Sequence, residues 1–189
     1  MSLANTSRLK VGVDVPWVTS WSEEAQLGVG PCASVDGELA IGQVTKPGVG
    51  RPLYSRNHLF RQRKSVREML CPMCGKPTHE GDRWSQTAKS TTAGELRARG
   101  FAPDLPPDMA DDQRLLNCGA IAPLHRACAD ASLARCPHLG GMDDRTLKPF
   151  PHAWVIIPLW VEAKPPAPHA KPVPVVSFLQ LVGIEDKVG

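Results

Sequence analysis

The sequence has no run of about 20 apolar residues, the length that an α-helix needs to cross a bilayer. Its first 20 residues hold no apolar stretch of signal-peptide type, because Asp14 and Pro16 interrupt the segment from Val11 to Val18. We therefore expect a soluble, cytoplasmic protein with no membrane partner. Six cysteines in 189 residues are also too few for the disulfide framework of a small secreted domain, so reduced thiols are expected.

Common catalytic fingerprints are missing as well. The sequence contains no Walker A motif, no GxGxxG turn and no nucleophile elbow. A zinc deaminase needs H-x-E with P-C-x-x-C, whereas His79 and Glu80 are adjacent and follow the only Cys-x2-Cys pair. An HNH-like nuclease stays open as an alternative, with Asp82 and His138 as further candidates for its site, although the usual pattern of those enzymes is not present. No catalytic residue is assigned, and a non-enzymatic protein is favoured.

The composition is that of a globular protein rich in turns. Apolar residues make up 42% and charged residues 22% of the chain, which is ordinary for a folded domain. Nineteen prolines and 16 glycines together form close to a fifth of it, which favours short strands and long loops over long helices. The net charge of +3 is only mildly basic and does not by itself indicate nucleic acid.

Two pairs of residues have the spacing of zinc ligands. Cys71 and Cys74 form a Cys-x2-Cys pair, and Gly75 lets the chain turn back after it because glycine tolerates positive φ. His125 and Cys128 begin a predicted helix over residues 123–135, where a spacing of three puts both on one face. Zn²⁺ takes four tetrahedral thiolate and imidazole ligands. The pattern predicts a structural zinc site, arranged like a treble clef, with the ligands Cys71, Cys74, His125 and Cys128.

Other ligand sets remain open at this point. Cys118, Cys136 or His138 could replace one of the four ligands. Otherwise Cys118, Cys136 and Cys32 are expected to be small buried apolar residues, as free cysteines often are. A redox role for the Cys-x2-Cys pair is less favoured, because proline and glycine follow too soon for the helix that such a motif normally opens.

The two cysteine-containing segments, CPMCGKP and PLHRACADASLARCPHL, resemble a loosely defined group of uncharacterised bacterial and phage proteins. Those proteins carry a CxxCG knuckle and a PLHxxCAxxSxxxCPHL segment. The matching positions here are Cys71, Cys74, Gly75, Pro123, Leu124, His125, Cys128, Ala129, Ser132, Cys136, Pro137, His138 and Leu139. Only the two ends of this region are specific, and the 50 residues from Gly75 to Leu124 separate them. The resemblance implies a treble-clef-like zinc site and no particular activity.

A basic segment, residues 51–67, leads into the Cys-x2-Cys pair and contains no acid until Glu68. Arginines and a lysine beside a rigid knuckle are typical of a clamp on a phosphate backbone. The predicted nucleic-acid contacts are Arg56, Arg61, Arg63, Lys64 and Arg67. The alternatives are a solvated basic face, internal pairs with acids such as Asp111 and Asp112, or contact with an acidic protein surface.

The remaining patterns predict short strands and helices. Strands are expected over Lys10–Trp21, Glu38–Val44, His152–Ala163 and Val175–Ile184. Helices are expected from a cap at Ser55 or Asn57 to Met69, from a capping box at Thr92 and Glu95 to Arg99, and from Pro107 to Asn117. We expect the last two helices to pack over the zinc site. Pro158 requires a bulge or an edge position in its strand.

The sequence as a whole therefore predicts a single zinc-stabilised α+β domain over residues 1–189. Residues 1–70 would supply N-terminal strands and the basic segment, residues 71–139 the zinc knuckle with short helices, and residues 150–189 the C-terminal strands with a Pro-rich loop. The predicted function is non-enzymatic binding or assembly, with nucleic acid as the first partner to test. The alternatives are a zinc-knuckle endonuclease of the HNH type and a phage-related protein adaptor that uses the Pro-rich loop.

Overall fold

The computed structural model of the protein describes residues 6–101, 104–136, 147–165, 169 and 171–186. Within these ranges the strands are β1 Thr19–Trp21, β2 Gln26–Pro31, β3 Leu39–Gln43, β4 Pro52–Asn57, β5 Trp84–Ser85, β6 Lys89–Thr92, β7 Arg114–Gly119, β8 Lys148–Pro149, β9 Ala153–Ala163 and β10 Val173–Ile184. The α-helices are α1 Leu59–Arg67, α2 Ala93–Leu96 and α3 Arg126–Arg135. This mixed α+β composition, dominated by sheet, confirms the predicted α+β class, although strands β5, β6 and β7 also lie in the middle of the chain. None of the described helices is long and apolar enough to span a membrane.

The main sheet has six strands and is built around β10. The strand order is β2-β3-β10-β7-β6, and β9 pairs with β10 along its other edge. β10 runs parallel to β3 and antiparallel to β7 and β9. The sheet therefore joins β2 and β3 from the first half of the chain, β6 and β7 from the middle, and β9 and β10 from the C-terminal part.

Apolar residues cover both faces of the central strands. Leu115 and Leu116 are consecutive in β7, so their side chains point to opposite faces. Leu116 belongs to one buried cluster together with Val66 of α1, and Leu115 belongs to a second cluster with Leu96 of α2. α1 and α2 consequently pack on opposite faces of the sheet.

Gln62 of α1 completes the hydrogen bonding of β10 where β3 ends and β7 has not yet begun. Its Nε2 donates to the Leu179 carbonyl (2.7 Å) and to the Ala120 carbonyl (2.9 Å), and its Oε1 accepts from the Leu179 N–H (3.1 Å). Both backbone groups of Leu179 therefore point away from β9. Pro158 lies opposite Leu179 in β9. Since Leu179 does not hydrogen-bond to it, the backbone nitrogen and carbonyl of Pro158 face the outer edge of β9. The expectation of an edge position for Pro158 is thus confirmed.

Several predicted elements are confirmed with adjusted ends. The strand over Glu38–Val44 is β3, and the helix before Met69 is α1. The capping box of Thr92 and Glu95 opens α2, which continues into a wider turn that ends at Gly100 with φ 93°. The cap of α1 is His58 rather than Ser55 or Asn57, because the His58 Nδ1 accepts the Arg61 N–H (3.3 Å).

The two predicted C-terminal strands are β9 and β10, and they form a hairpin in which β9 runs antiparallel to β10. Of the Pro-rich loop that joins them, residues 166–168 and 170 lie outside the described residues. Of the one or two short strands predicted over Lys10–Trp21, Thr19–Trp21 is β1, which pairs with β4, and Val11 forms an isolated bridge with Val15.

The helix predicted over Pro107–Asn117 is wrong. A turn precedes β7, which begins at Arg114 and lies between β6 and β10. Two adjacent buried leucines suit a strand with both faces covered better than a helix with one apolar side. The predicted packing of this region over the zinc site is also wrong, because α2 packs on the sheet and the zinc-ligand residues form a separate cluster with Leu124 and Ala129.

Candidate metal centre

The four predicted ligands lie together. The ligand atoms of Cys71, Cys74, His125 and Cys128 are all within 4.8 Å of one another. The His125 Nδ1 lies 3.4 Å from the Cys74 Sγ and 3.9 Å from the Cys128 Sγ. Zn–S and Zn–N bonds of about 2.3 and 2.0–2.1 Å in a tetrahedron place sulfur and nitrogen about 3.6 Å apart, between these two values. The cluster is therefore of the right size for one zinc ion.

The first ligand pair is held by a tight backbone turn. The Gly75 N–H donates to the Cys71 carbonyl (2.8 Å), and the Cys71 N–H donates to the Lys76 carbonyl (2.8 Å). Gly75 has φ 74°, a left-handed conformation that favours glycine. This turn directs both thiols of the Cys-x2-Cys pair to one point.

The second pair is held by the start of α3. His125 is the residue before the first helical turn, and Cys128 lies within that turn. The His125 Nε2 lies 3.0 Å from the Pro77 carbonyl oxygen, to which it donates a hydrogen bond. This bond fixes the tautomer that leaves the Nδ1 lone pair facing the three thiols. Pro77 was not identified from the sequence, because it acts through its backbone and offers no side-chain signal.

Two contacts anchor the metal centre to the rest of the protein. The Trp17 N–H donates to the Met73 carbonyl (2.8 Å), and the Val18 N–H donates to the Pro72 carbonyl (3.1 Å), so the N-terminal segment lies against the knuckle. The Trp17 ring packs so closely on Gly75 that a Cβ there would lie 2.7 Å from the ring. Gly75 is thus required both by its φ and by the indole.

A second set of contacts orients α3. The Asp82 Oδ1 accepts the N–H of Arg126 at the start of the helix (2.7 Å). Trp84 and Leu124 exchange two backbone hydrogen bonds (2.9 and 2.8 Å), and the Arg126 guanidinium lies 4.8 Å from the centre of the Trp84 ring. These contacts hold His125 and Cys128 in front of the knuckle.

Burial raises the pKa values of the Cys71 and Cys128 thiols in the absence of a bound cation. The pKa of Cys71 is raised, mainly by burial, and the pKa of Cys128 is raised to about 12 by burial and by the neighbouring Cys71 and Cys74 thiols. A divalent cation reverses this balance, because its charge stabilises the thiolates that bind it. Four protein ligands also fill a tetrahedral coordination shell and leave no open position for a substrate, which is the arrangement of structural zinc sites.

The other cysteines lie outside this cluster. Cys118 is 3% exposed in β7, its Sγ donates to the Leu116 carbonyl (3.7 Å), and burial raises its pKa to about 11. Cys32 lies near α1, with its Sγ 3.1 Å from the Ser34 Oγ. Cys136 follows the last turn of α3, and His138 lies outside the described residues. The buried apolar interpretation is therefore right for Cys118, whereas Cys32 and Cys136 are only partly buried.

The two acidic residues considered for a nuclease site have other contacts. Asp82 caps α3, and the Glu80 carboxylate lies 2.7 Å from the His152 Nδ1 at the surface. Within the described residues, the cluster of Cys71, Cys74, His125 and Cys128 is the one group of at least three side chains with metal-binding geometry.

The basic segment is divided between the interior and the surface. Arg61 is 3% exposed and donates to both carboxylate oxygens of Glu24 (2.7 and 2.8 Å) and to the Thr19 carbonyl (2.7 Å). Arg63 is fully buried and donates to the Leu59 carbonyl (3.0 Å) and the Ile41 carbonyl (2.6 Å). The placement of these two arginines on a nucleic-acid surface is corrected: both hold α1 against neighbouring strands and loops.

The other three predicted contacts reach the surface. Arg56 is exposed in β4, Lys64 is half-exposed and lies 3.9 Å from the Glu68 carboxylate, and Arg67 binds the Asp36 carboxylate. Asp111 pairs with Arg97 and not with the basic segment. Any electrostatic clamp is therefore smaller than the sequence indicated.

Comparisons of the sequence and structure with protein-family models, with curated proteins and with solved structures found no match. The functional conclusion consequently depends on the residues and geometry of the site itself.

Proposed function

We propose that the protein is a non-enzymatic binding or assembly protein whose fold depends on a treble-clef-like structural zinc centre. The observation that carries this proposal is the set of four convergent protein ligands with the His125 Nε2 held by the Pro77 carbonyl. A knuckle that faces the first turn of a helix is the arrangement that defines the treble clef. The complete ligand set favours structural zinc over catalytic zinc, since a catalytic site keeps a position open for water or substrate.

The zinc ion would join two segments that are far apart in the chain. Cys74 and His125 are 51 positions apart, and their direct contact is a single thiol–imidazole pair with 3.4 Å between Sγ and Nδ1. Zinc binding contributes about 10–16 kcal/mol in zinc-finger peptides at neutral pH, which is enough to determine whether such a region folds. The ion would also fix the N-terminal segment, which reaches the knuckle through Trp17.

Metal analysis combined with thermal unfolding tests this proposal. The purified protein should contain about one zinc per chain, and a strong chelator should lower its melting temperature and release the ion. Cys128→Ser should lose zinc and stability, whereas Cys136→Ser, a partly buried cysteine outside the cluster, should keep both. Stability that is unchanged by zinc removal and by Cys128→Ser would contradict a structural role.

Nucleic acid remains the first partner to test, now through the surface cations Arg56, Lys64 and Arg67. Titration with single- and double-stranded oligonucleotides at low and moderate salt, with Mg²⁺ present, measures both binding and cleavage. Binding that weakens steeply with salt and without cleavage supports a phosphate contact, because released counterions set the slope. Cleavage would favour the HNH-like alternative, and absence of binding at low salt would favour a protein partner.

A further inference from the structure

A cavity of about 310 Å³ lies directly beside the metal centre. We call it the knuckle cavity. Met73, between the two knuckle cysteines, and Leu124, next to His125, form part of its wall, and Val18 and Pro72 extend the apolar surface. Its volume is at the lower end of the range of small-molecule sites, about 300–1,000 Å³. It can therefore hold one small group, and its shape depends on the zinc ligands.

One side of the knuckle cavity has unused hydrogen-bonding capacity. Gln86 is 9% exposed, its Nε2 donates to the Ser132 Oγ (3.1 Å), and its Oε1 is buried with no partner among the described residues. The neighbouring Thr87 Oγ1 is likewise buried and without a partner there. If the two ends of the Gln86 amide were exchanged, the free group would be the NH₂ donor, so one end of the amide is unpaired in either orientation. Buried polar groups are normally paired, so these two adjacent groups, which line one cavity, are available to hydrogen-bond a ligand.

The lining of the knuckle cavity selects a neutral ligand. The described residues that line it include no Asp, Glu, Lys, Arg or His side chain. A charged ligand would lose its hydration there without gaining a counterion, which is costly. The ligand must therefore be uncharged and must carry hydrogen-bonding groups at one end.

The mouth of the knuckle cavity carries an aromatic ring and a nearby cation. Tyr54 lines the cavity and is 64% exposed, which is unusual for a large aromatic side chain. Arg56 is also exposed and lies two residues further along β4, in the segment between Leu53 and Asn57 where the pairing with β1 shifts register. An exposed ring provides a stacking surface for a planar group, and a guanidinium beside it provides a contact for phosphate.

We propose that the knuckle cavity binds one nucleobase, a neutral planar nitrogen heterocycle, with its polar edge at Gln86 and Thr87 and its face near Tyr54. The base can come from a free nucleoside or nucleotide, or from an unpaired nucleic-acid strand. The proposal extends the proposed function, because Met73 and Leu124 adjoin the zinc ligands and the cavity needs a loaded metal centre. It assigns specificity to the cavity and only a supporting role to the surface cations.

The test is a calorimetric or NMR titration of zinc-loaded, full-length protein. The probes are the four nucleosides, their 5′-monophosphates, single-stranded homo-oligonucleotides and a duplex of the same length. Saturable binding of at least one nucleoside or single strand, with weaker binding of the duplex, is expected. Arg56→Ala should weaken the binding of monophosphates and oligonucleotides but leave the binding of nucleosides unchanged. Tighter binding of single strands than of monophosphates would identify a strand as the source of the base, and the reverse order would identify a free nucleotide.

Variants of the cavity decide whether the ligand binds where proposed. Tyr54→Ala should weaken binding by about 5- to 150-fold, the range for loss of one stacked base. The matched control Phe60→Ala removes another exposed aromatic side chain that does not line the cavity, and binding should be unchanged. Gln86→Leu should also weaken binding, while the zinc content stays at that of the parent protein.

Two results would overturn the proposal. One is zinc-loaded protein that binds none of the probes at millimolar concentration. The other is binding that Tyr54→Ala and Gln86→Leu leave unchanged. In both cases the zinc content of the same sample is measured, so loss of the nucleobase proposal is distinguished from loss of the structural zinc centre.

Discussion

The buried pair of Glu24 and Arg61 gives the sharpest prediction about stability. The Glu24 carboxylate accepts four hydrogen bonds, two from the Arg61 guanidinium (2.7 and 2.8 Å), one from the Trp21 N–H (2.8 Å) and one from the Lys46 N–H (2.9 Å). Glu24→Gln removes the charge and places an NH₂ group against some of these donors. Removing one partner of a buried pair costs about 3–5 kcal/mol, because the other charge remains buried without compensation.

Urea denaturation at neutral pH, followed by circular dichroism, measures this loss. Glu68→Gln is the matched control, because it makes the same chemical change in an exposed ion pair with Lys64. This substitution should alter the free energy of unfolding by about 0.5 kcal/mol or less. The double variant Glu24→Leu/Arg61→Leu should lose less than the sum of the two single variants. A loss below about 1 kcal/mol for Glu24→Gln, the size found for surface pairs, would refute the interior position of Arg61.

The same buried network predicts sensitivity to acid. Burial alone would raise the pKa of Glu24, but hydrogen bonds from Arg61 and from the Trp21 backbone lower it below the usual 4.5. Because the folded pKa is below the unfolded one, this stabilisation is present above the unfolded pKa and lost as pH falls through the folded pKa. Burial also lowers the pKa of His58 below 6.5, so the neutral ring favours folding and stability declines as pH falls below that value. Melting temperatures should therefore fall below about pH 6.5 and fall further below pH 4.5, with the second step reduced in Glu24→Gln.

Three further variants or measurements test separate parts of the structure. Gly75→Ala should lower stability by at least about 1–2 kcal/mol, the cost of a left-handed conformation for a residue with a Cβ, and the clash with the Trp17 ring adds to this. Gly81→Ala is the control: it has open space around it and should have little effect in the same melting assay. Pro158→Val should restore a donor to the outer edge of β9 and increase self-association in analytical ultracentrifugation, and a monomer at all concentrations would contradict that edge assignment. In alkylation followed by mass spectrometry, Cys32 should react faster than Cys118. Burial opposes ionisation of Cys32, but contacts with Ser34 and the charge of Arg63 lower the pKa of this thiol, whereas burial raises the pKa of Cys118 to about 11. Equal reactivity of the two thiols would refute their different environments.

The metal centre was predictable because its information is local. Each ligand pair is three residues apart in the sequence, and each spacing specifies a turn or a helix face that directs both side chains to one side. The approach of His125 to Cys74 could then be inferred from zinc chemistry alone, without knowledge of the fold. The Pro77 carbonyl, which orients His125, has no comparable signature.

The role of Arg61 was not predictable, because its partner Glu24 is 37 residues away and no local pattern connects them. Arg56 and Arg61 look equivalent in the sequence, yet one is exposed and the other is buried. The helix prediction for residues 107–117 was wrong for a similar reason. The acids and Pro107 resemble the start of a helix, but Leu115 and Leu116 pack on opposite faces of a sheet that forms only when β6 and β10 are in place.

The most direct test of the structural zinc centre is X-ray absorption spectroscopy at the zinc edge on the purified protein. We expect a first shell of three sulfur atoms at about 2.3 Å and one nitrogen atom at about 2.0–2.1 Å, from Cys71, Cys74, Cys128 and His125. Cys128→Ser should lose one sulfur from that shell or lose the metal. A first shell dominated by oxygen and nitrogen, or one that Cys128→Ser leaves unchanged, would contradict this ligand set.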